Sequence, residues 1–429
     1  MRRLNVDLIH VAASAGLPAL ANFLAAALAL HVLDPVLAGR SYALLAVFYV
    51  AIDTFNFGSA RIYTIERIRT RFASLLPLDC ISAACSTAFF GVACVLLAGT
   101  GSIVLPNAPL MLALAPACYG LSHFALGFFR MTGRNRVVLA ISTVSAVSRL
   151  AVVWALAEFP AWHGWFPDLL LLVEAAYGGL LVAAYLWIRP RAEDRHERGQ
   201  GPQAERCGLH WYRCFVAQAR GELLSSWYAN ALLSGAKHVD VLIVSAVAGP
   251  AGAAVYRVAK GVNNLAFNFG QSLALTVGCD TGRVRHALSG GDFRRRCAVA
   301  LPLGMAGVAV AALLLLEIGL FPVQSLGGPV ARFAFVYAVL LGACVVFLCR
   351  VLSLWLYAQS RRAFVKMASF EVVLTLGLVA GAGWKYGAYG AVCGIGIAAC
   401  VVLVLSCTLL MRGVASDVSA SAAAGRESA

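Results

Sequence analysis

Residues 252–277 read GAAVYRVAKGVNNLAFNFGQSLALTV. A helix needs about 20 predominantly apolar residues to cross a bilayer, and this run is long enough. Yet Arg257, Lys260, Asn264, Asn268 and Gln271 recur at offsets of 0, 3, 7, 11 and 14, which places all five on one face of an α-helix. A continuous stripe of cations and amides does not face lipid. It faces either neighbouring helices, as interhelical hydrogen bonds, or a water-filled cavity. Two cations on one stripe need more than helix-to-helix hydrogen bonding, which favours the cavity. The stretch therefore predicts a membrane-spanning bundle with a polar interior.

The rest of the chain agrees. Of 429 residues, 61% are hydrophobic and only 13% are charged, against about 45–50% and about 25% in soluble domains. So little charge cannot cover a water-facing surface of this size, which excludes a soluble enzyme. The net charge of +14 implies no nucleic-acid partner, because basic residues gather in the cytoplasmic loops of membrane proteins. The basic residues are 30 Arg and 4 Lys. Coding bias explains such a ratio, and so does the bidentate fit of guanidinium to phosphate. The 13 Cys include no C-x-x-C pair. Cys393, Cys400 and Cys407 share a helix face without an accompanying His, which predicts close helix packing rather than a metal site.

Apolar runs of spanning length fall at about 9–33, 41–60, 75–98, 110–129, 137–157, 168–188, 220–248, 252–277, 297–318, 332–357, 367–384 and 388–411. The first follows Met1-Arg2-Arg3 but is too long for a signal-peptide core, so it is read as a retained helix. With the N-terminus inside, the inner segments carry 25 Arg and Lys, and the outer loops carry only Arg40 and Lys385. That asymmetry predicts an even number of spans with both termini in the cytoplasm. The resulting organisation is all-α and polytopic. A six-helix lobe over 1–188 is joined by a polar cytoplasmic linker, 189–214, to a second over 215–411, and a disordered tail follows at 412–429. Phe55-Asn56-Phe57-Gly58 recurs as Phe267-Asn268-Phe269-Gly270, late in the second span of each half. Two such halves would be related by an axis along the membrane normal, with a central cavity between them.

One local signature is more specific. His238-Val239-Asp240-Val241-Leu242-Ile243-Val244 leads through Gly249-Pro250 to Tyr256-Arg257-Val258-Ala259-Lys260. It resembles the seventh and eighth helices of bacterial polysaccharide (O-antigen type) flippases, where an Asp in an apolar helix precedes a Gly-containing turn and a Tyr-x-x-Ala helix start. Those proteins belong to the multidrug/oligosaccharidyl-lipid/polysaccharide exporter superfamily, whose twelve-helix, MATE-like plan is compatible with nearly the whole chain. Sequence-level likeness is confined to about 237–275 and, more faintly, 30–60. The resemblance implies a flippase of the bacterial inner membrane. Its substrate would be an undecaprenyl-pyrophosphate-linked oligosaccharide moved to the outer leaflet, with polysaccharide polymerase or assembly proteins and membrane lipids as partners.

Such transport breaks no covalent bond. It needs cations for the phosphates and hydrogen-bonding groups for the glycan, at several depths. The candidate substrate-binding residues are Arg149, Lys237, Arg257, Lys260, Asn264, Asn268, Gln271 and Arg350. Each cation costs about 2.5–3.5 kcal/mol at a helix centre on insertion scales, so its retention points to a cavity. Helix ends allow snorkelling for Arg220 and Arg332, and for Arg350 to a lesser degree. Asp53 and Asp240 are the candidates for ion coupling, although Lys237 and Asp240 are spaced to pair along one turn. Tyr42, Tyr49, Asp53 and Asn56 form a second, weaker stripe, and Glu174 and Glu371 lie in apolar runs with no sequence-local partner. Asp79 and Glu317, near span ends, are expected to be solvated.

No P-loop, nucleophile elbow or His/Cys metal cluster occurs, so no cofactor is expected. Gly377-x-x-x-Gly381 and Gly390-x-x-x-Gly394 predict close helix packing. Two other readings stay open. A cation-coupled multidrug exporter of the same superfamily favours cavity acids, often in the first helix, where only Asn22 and His31 are found. A membrane polymerase or ligase would need a larger outer loop than any here.

Overall fold

The computed structural model describes residues 2–57, 76–131, 134–196, 235–277, 304–310, 329–359 and 361–427, with isolated positions at 220–232 and near 302 and 313. Among these residues every regular element is helical. The helices are α1 (Arg2–Val32), α2 (Pro35–Phe55), α3 (Leu76–Gly99), α4 (Met111–Met131), α5 (Asn135–Glu158) and α6 (Phe166–His196). They continue with a π turn at Gly235–Val239, α7 (Asp240–Val277), α8 (Pro329–Gln359) and α9 (Arg361–Glu427). Eight helical stretches among the described residues are long and apolar enough to cross a membrane.

The first six apolar runs become α1 to α6. The seventh and eighth merge into α7, which breaks at Gly249 (φ 76°), and the last two merge into α9, which breaks at Gly387 (φ 66°). Both breaks combine a positive φ with an extended ψ, a backbone region essentially confined to glycine. In α7 the following Pro250 restarts the helix, since its missing N–H is no loss at a first turn. At the start of α2, the Asp34 carboxylate accepts from the backbone N–H groups of Val36 and Leu37 at 3.1 and 3.0 Å, and Pro35 opens the helix.

The chain divides into two compact units, 1–261 and 262–429. The first has a core where α2, α3, α4 and α6 meet. Phe48 packs edge-to-face on Phe90 and Tyr119 at 5.7 and 5.6 Å. Lipid tails are as apolar as leucine, so small residues and polar contacts must hold such helices together. A Cβ on Gly120 would lie 2.8 Å from the Ala83 backbone, and one on Gly178 would lie 2.6 Å from the Cys118 carbonyl. Ser86 donates across to the Ala51 carbonyl at 3.3 Å. In the second unit, Phe335 of α8 meets Tyr389 of α9 at 5.0 Å, and Cys349 donates to the Ala399 carbonyl.

Several expectations change. Asp79 is fully buried rather than solvated, because it accepts the backbone N–H of Phe124 on α4 at 2.5 Å. The tail beyond 412 continues α9 to Glu427, as alanine-rich sequence readily extends a helix that is already nucleated. Of the linker, 189–196 belongs to α6, and the remainder lies outside the described residues, as does Glu317. The repeated tetrapeptide has two local structures. Asn56 ends α2 and Phe57 takes a positive φ of 47°, whereas 267–270 lies within α7. Gly390 and Gly394 do pack closely, on Ala382 and Leu378, but a Cβ at Gly377 or Gly381 would meet nothing.

Candidate functional site

The polar groups of the first unit gather where α2 runs beside the π turn and the start of α7. Lys260 reaches back across the Gly249 break to the buried carboxylate of Asp240 and to the Lys237 carbonyl. Tyr256 donates to the same Asp240 oxygen at 2.6 Å. The two limbs of α7 are thereby stapled, and Lys260 is neutralised in a nearly water-free setting. Asp240 thus takes a partner twenty residues away in addition to anything on its own turn.

A second pair joins α5 to α6. Arg149 of α5 is buried and donates from Nη2 to Glu174 Oε1 of α6 at 2.5 Å. Arg149 Nη1 and Glu174 Oε2 have no hydrogen-bond partner among the described residues. Tyr49 of α2 lies within electrostatic reach of both. The Tyr49 ring is stacked on the His238 imidazole at 4.9 Å and 24°. His238 Nε2 stands 3.6 Å from Asp53 Oδ2, and Asp53 is about one-third exposed. Near the end of α2, Trp227 Nε1 donates to the Thr54 carbonyl at 2.5 Å.

Arg257 differs from the other cations. It is half-buried on the second limb of α7, within electrostatic reach of Tyr42, Tyr49, His238 and Lys260. Among the described residues it has no ion pair. Among the described residues, Lys260 and Arg149 are balanced by acids, and Arg257 is not.

In the second unit, Arg350 of α8 is buried and lies over the Phe267 ring at 4.2 Å, within electrostatic reach of Glu371. Gly270 admits this approach, since a Cβ there would sit 3.1 Å from the Arg350 Cβ. Asn264 and Asn268 are half-buried. Gln271 continues α7, and its side chain lies outside the described set.

The structure therefore brings Asp53, Arg149, Lys237, Asp240, Arg257 and Lys260 into one region of the first unit, and places Asn264, Asn268 and Arg350 in the second. Sequence reasoning gave no role to His238, Tyr256 or Asn263, whose buried Oδ1 has no partner among the described residues. For His238 a signal existed, an ionisable ring two residues before an intramembrane Asp. Asn263 stood one position off the polar stripe.

No family model matches the chain, and no curated protein matches its sequence. Solved structures do match. The chain is similar to the eukaryotic MATE transporter AtDTX14 at 13% identity, covering 95% of this chain and 96% of that one, with a TM-score of 0.59. It is similar to the Vibrio cholerae MATE transporter VcmN in its bent form at 14% identity, covering 96% and 98%, with a TM-score of 0.55. An outward-facing multidrug resistance MATE family transporter of the MOP superfamily gives 14% identity, 96% coverage of each chain and a TM-score of 0.57. The chain is a polytopic α-helical protein with the fold of the MATE transporters.

Proposed function

We propose that the chain is an exporter of an undecaprenyl-pyrophosphate-linked oligosaccharide, moved by alternating access from the inner to the outer leaflet of a bacterial inner membrane. The supporting observation is Arg257, a half-buried membrane cation with no ion pair among the described residues. An uncompensated guanidinium is costly in a bundle unless water or an anion meets it. A diphosphate suits it, because its planar donors bind phosphate oxygens in pairs. Around it, Lys237 adds positive potential, and Lys260, whose charge Asp240 balances, offers a donor. Arg149 offers an unpartnered Nη1. In the second unit, Asn264, Asn268, Gln271 and Arg350 supply amides and a cation suited to a glycan. In this reading Asp53 and Asp240 are the acids that couple transport to an ion.

A second reading, a cation-coupled multidrug exporter, is favoured by one feature. Asp53 is partly exposed, and a partly exposed acid in a membrane bundle suits a cation. Reconstitution separates the two. Proteoliposomes would carry either a fluorescent polyprenyl-pyrophosphate sugar, assayed for exposure to a membrane-impermeant quencher, or a cationic dye. The flippase reading expects lipid movement that Arg257→Ala slows about tenfold or more, the scale of one charge-assisted contact. Dye efflux without lipid movement would replace it with the multidrug reading, and movement of neither would overturn both.

A further inference from the structure

Four turns meet at one end of the first unit. Arg40 of α2 brings its Nη2 beside Gly101 of the α3–α4 turn, where a Cβ would stand 3.9 Å away. Its neighbour Gly39 packs on the Pro250 carbonyl at the break in α7. The α3–α4 turn is tied to the α5–α6 turn, because Asn107 donates to the Gly164 carbonyl at 2.9 Å. The Asp168 carboxylate accepts the backbone N–H groups of Asn107 and Ala108 at 2.9 and 2.8 Å. With the short α1–α2 turn, these segments form one layer. Arg40 is its one Arg or Lys among the described residues. On the orientation expected from the charge count, this layer faces outward, where basic residues are otherwise avoided. We propose that Arg40 holds the phosphate of a membrane lipid at this end of the first unit.

Arg40 is half-buried, and its Nε is shut off from solvent with no hydrogen-bond partner among the described residues. A snorkelling arginine lays its stem on apolar surface and keeps its charged head in water. A desolvated, unpaired Nε–H does not fit that arrangement, because burying a donor without a partner is costly. The acids of the layer do not supply the partner. Asp34 caps α2 by accepting from Val36 and Leu37. Both Asp168 oxygens are taken by backbone N–H groups. Glu158 is exposed, and neither it nor the other two forms an ion pair with Arg40 among the described residues. Nε and Nη2 lie along one edge of the planar guanidinium, the fork that binds two phosphate oxygens in parallel. Lipid phosphate is the anion that a half-buried cation near the end of a spanning helix meets. Two lipids carry it, a resident phospholipid and the diphosphate lipid of the proposed function. The second has a route to the site, since Arg257 lies two turns of α7 beyond Pro250 and within electrostatic reach of Tyr42, two residues from Arg40.

The site needs only a lipid phosphate, so its test does not depend on what is carried. The full chain in proteoliposomes would be labelled with a phosphatidylglycerol analogue bearing a photoreactive headgroup, and with a diacylglycerol analogue bearing the same reactive group but no phosphate. Labelled peptides would then be mapped. The expected result is phosphate-dependent labelling of 34–42 and 97–104. Arg40→Gln should lower it about tenfold, the scale of a charge-assisted pair of hydrogen bonds. Labelling around Arg134 and Arg136, at the far ends of α4 and α5, should stay unchanged. Arg40→Lys keeps the charge without the fork and should lie between the two, which keeps the test decisive if Arg40→Gln folds poorly. Unlabelled phosphatidylglycerol and undecaprenyl diphosphate, added as competitors, identify the source. Displacement by either supports the site, and the one effective at the lower concentration is its ligand. Equal labelling of 34–42 and 97–104 in wild type and both variants, or equal labelling by the two analogues, would overturn the assignment.

Discussion

Glu174 and Arg149 illustrate what a buried charge demands. Glu174→Gln leaves the Arg149 guanidinium buried without its counter-charge, and should destabilise the protein by about 3–5 kcal/mol. Replacing both with Met should recover much of that loss, because the pair's own attraction barely exceeds its desolvation cost. Thermal unfolding in detergent checks both. Arg257 should behave oppositely. With no ion pair to break among the described residues, Arg257→Ala should cost much less stability than Glu174→Gln, so that any transport defect reports on substrate. These partnerships were not legible in the sequence. Arg149 meets Glu174 and Lys260 meets Asp240 across 25 and 20 residues, and only the fold decides which distant charges become neighbours. The polar stripe itself was legible, because helical periodicity is local.

Two glycines control how elements meet. A Cβ on Gly39 of α2 would stand 1.8 Å from the Pro250 carbonyl oxygen, so Gly39→Ala must push α2 away from the break in α7. Overpacking of this kind costs about 1–3 kcal/mol, and it should appear as a lowered unfolding temperature. Gly249 is a different case, since a Cβ there meets nothing within 4 Å and only its positive φ matters. Gly249→Ala and Gly249→Asn should each cost about 1–3 kcal/mol, because φ 76° with ψ 168° is a region essentially confined to glycine and not the αL region that Asn tolerates. Unfolding of both variants under one set of conditions tests this. From sequence, the Gly249-Pro250 pair marked a boundary between spans. That the break also serves as a contact surface for α2 depends on which helix lies opposite, and no local pattern records it.

At the scale of the molecule, the helices were read almost directly from apolar run lengths, because a bilayer leaves a spanning segment few alternatives to helix. The runs failed at their ends. Asp79 was placed in water by its position, and only the nearby Phe124 N–H shows why it is buried. The basic residues make a separate claim about orientation, with 25 on one side and Arg40 and Lys385 on the other. Reporter fusions at both termini should be active only in the cytoplasm, and fusions after Arg40 and Lys385 only outside. A terminus found outside would reverse the assignment. The exposed Trp162, Trp165 and Trp384 fit interfacial positions, where amphipathic rings collect.

The staple between Lys260 and Asp240 has a consequence for how the protein is made. Alone at a helix centre, each charge resists entry into lipid by about 2.5–3.5 kcal/mol. The two lie on opposite limbs of one hairpin that turns at Gly249-Pro250. They can therefore neutralise each other as soon as that hairpin has emerged from the ribosome, before the rest of the chain exists. Biogenesis should favour insertion of the two limbs together. A nascent chain truncated between them, with Asp240 present and Lys260 still unsynthesised, should partition into the bilayer less completely than one that ends beyond Lys260.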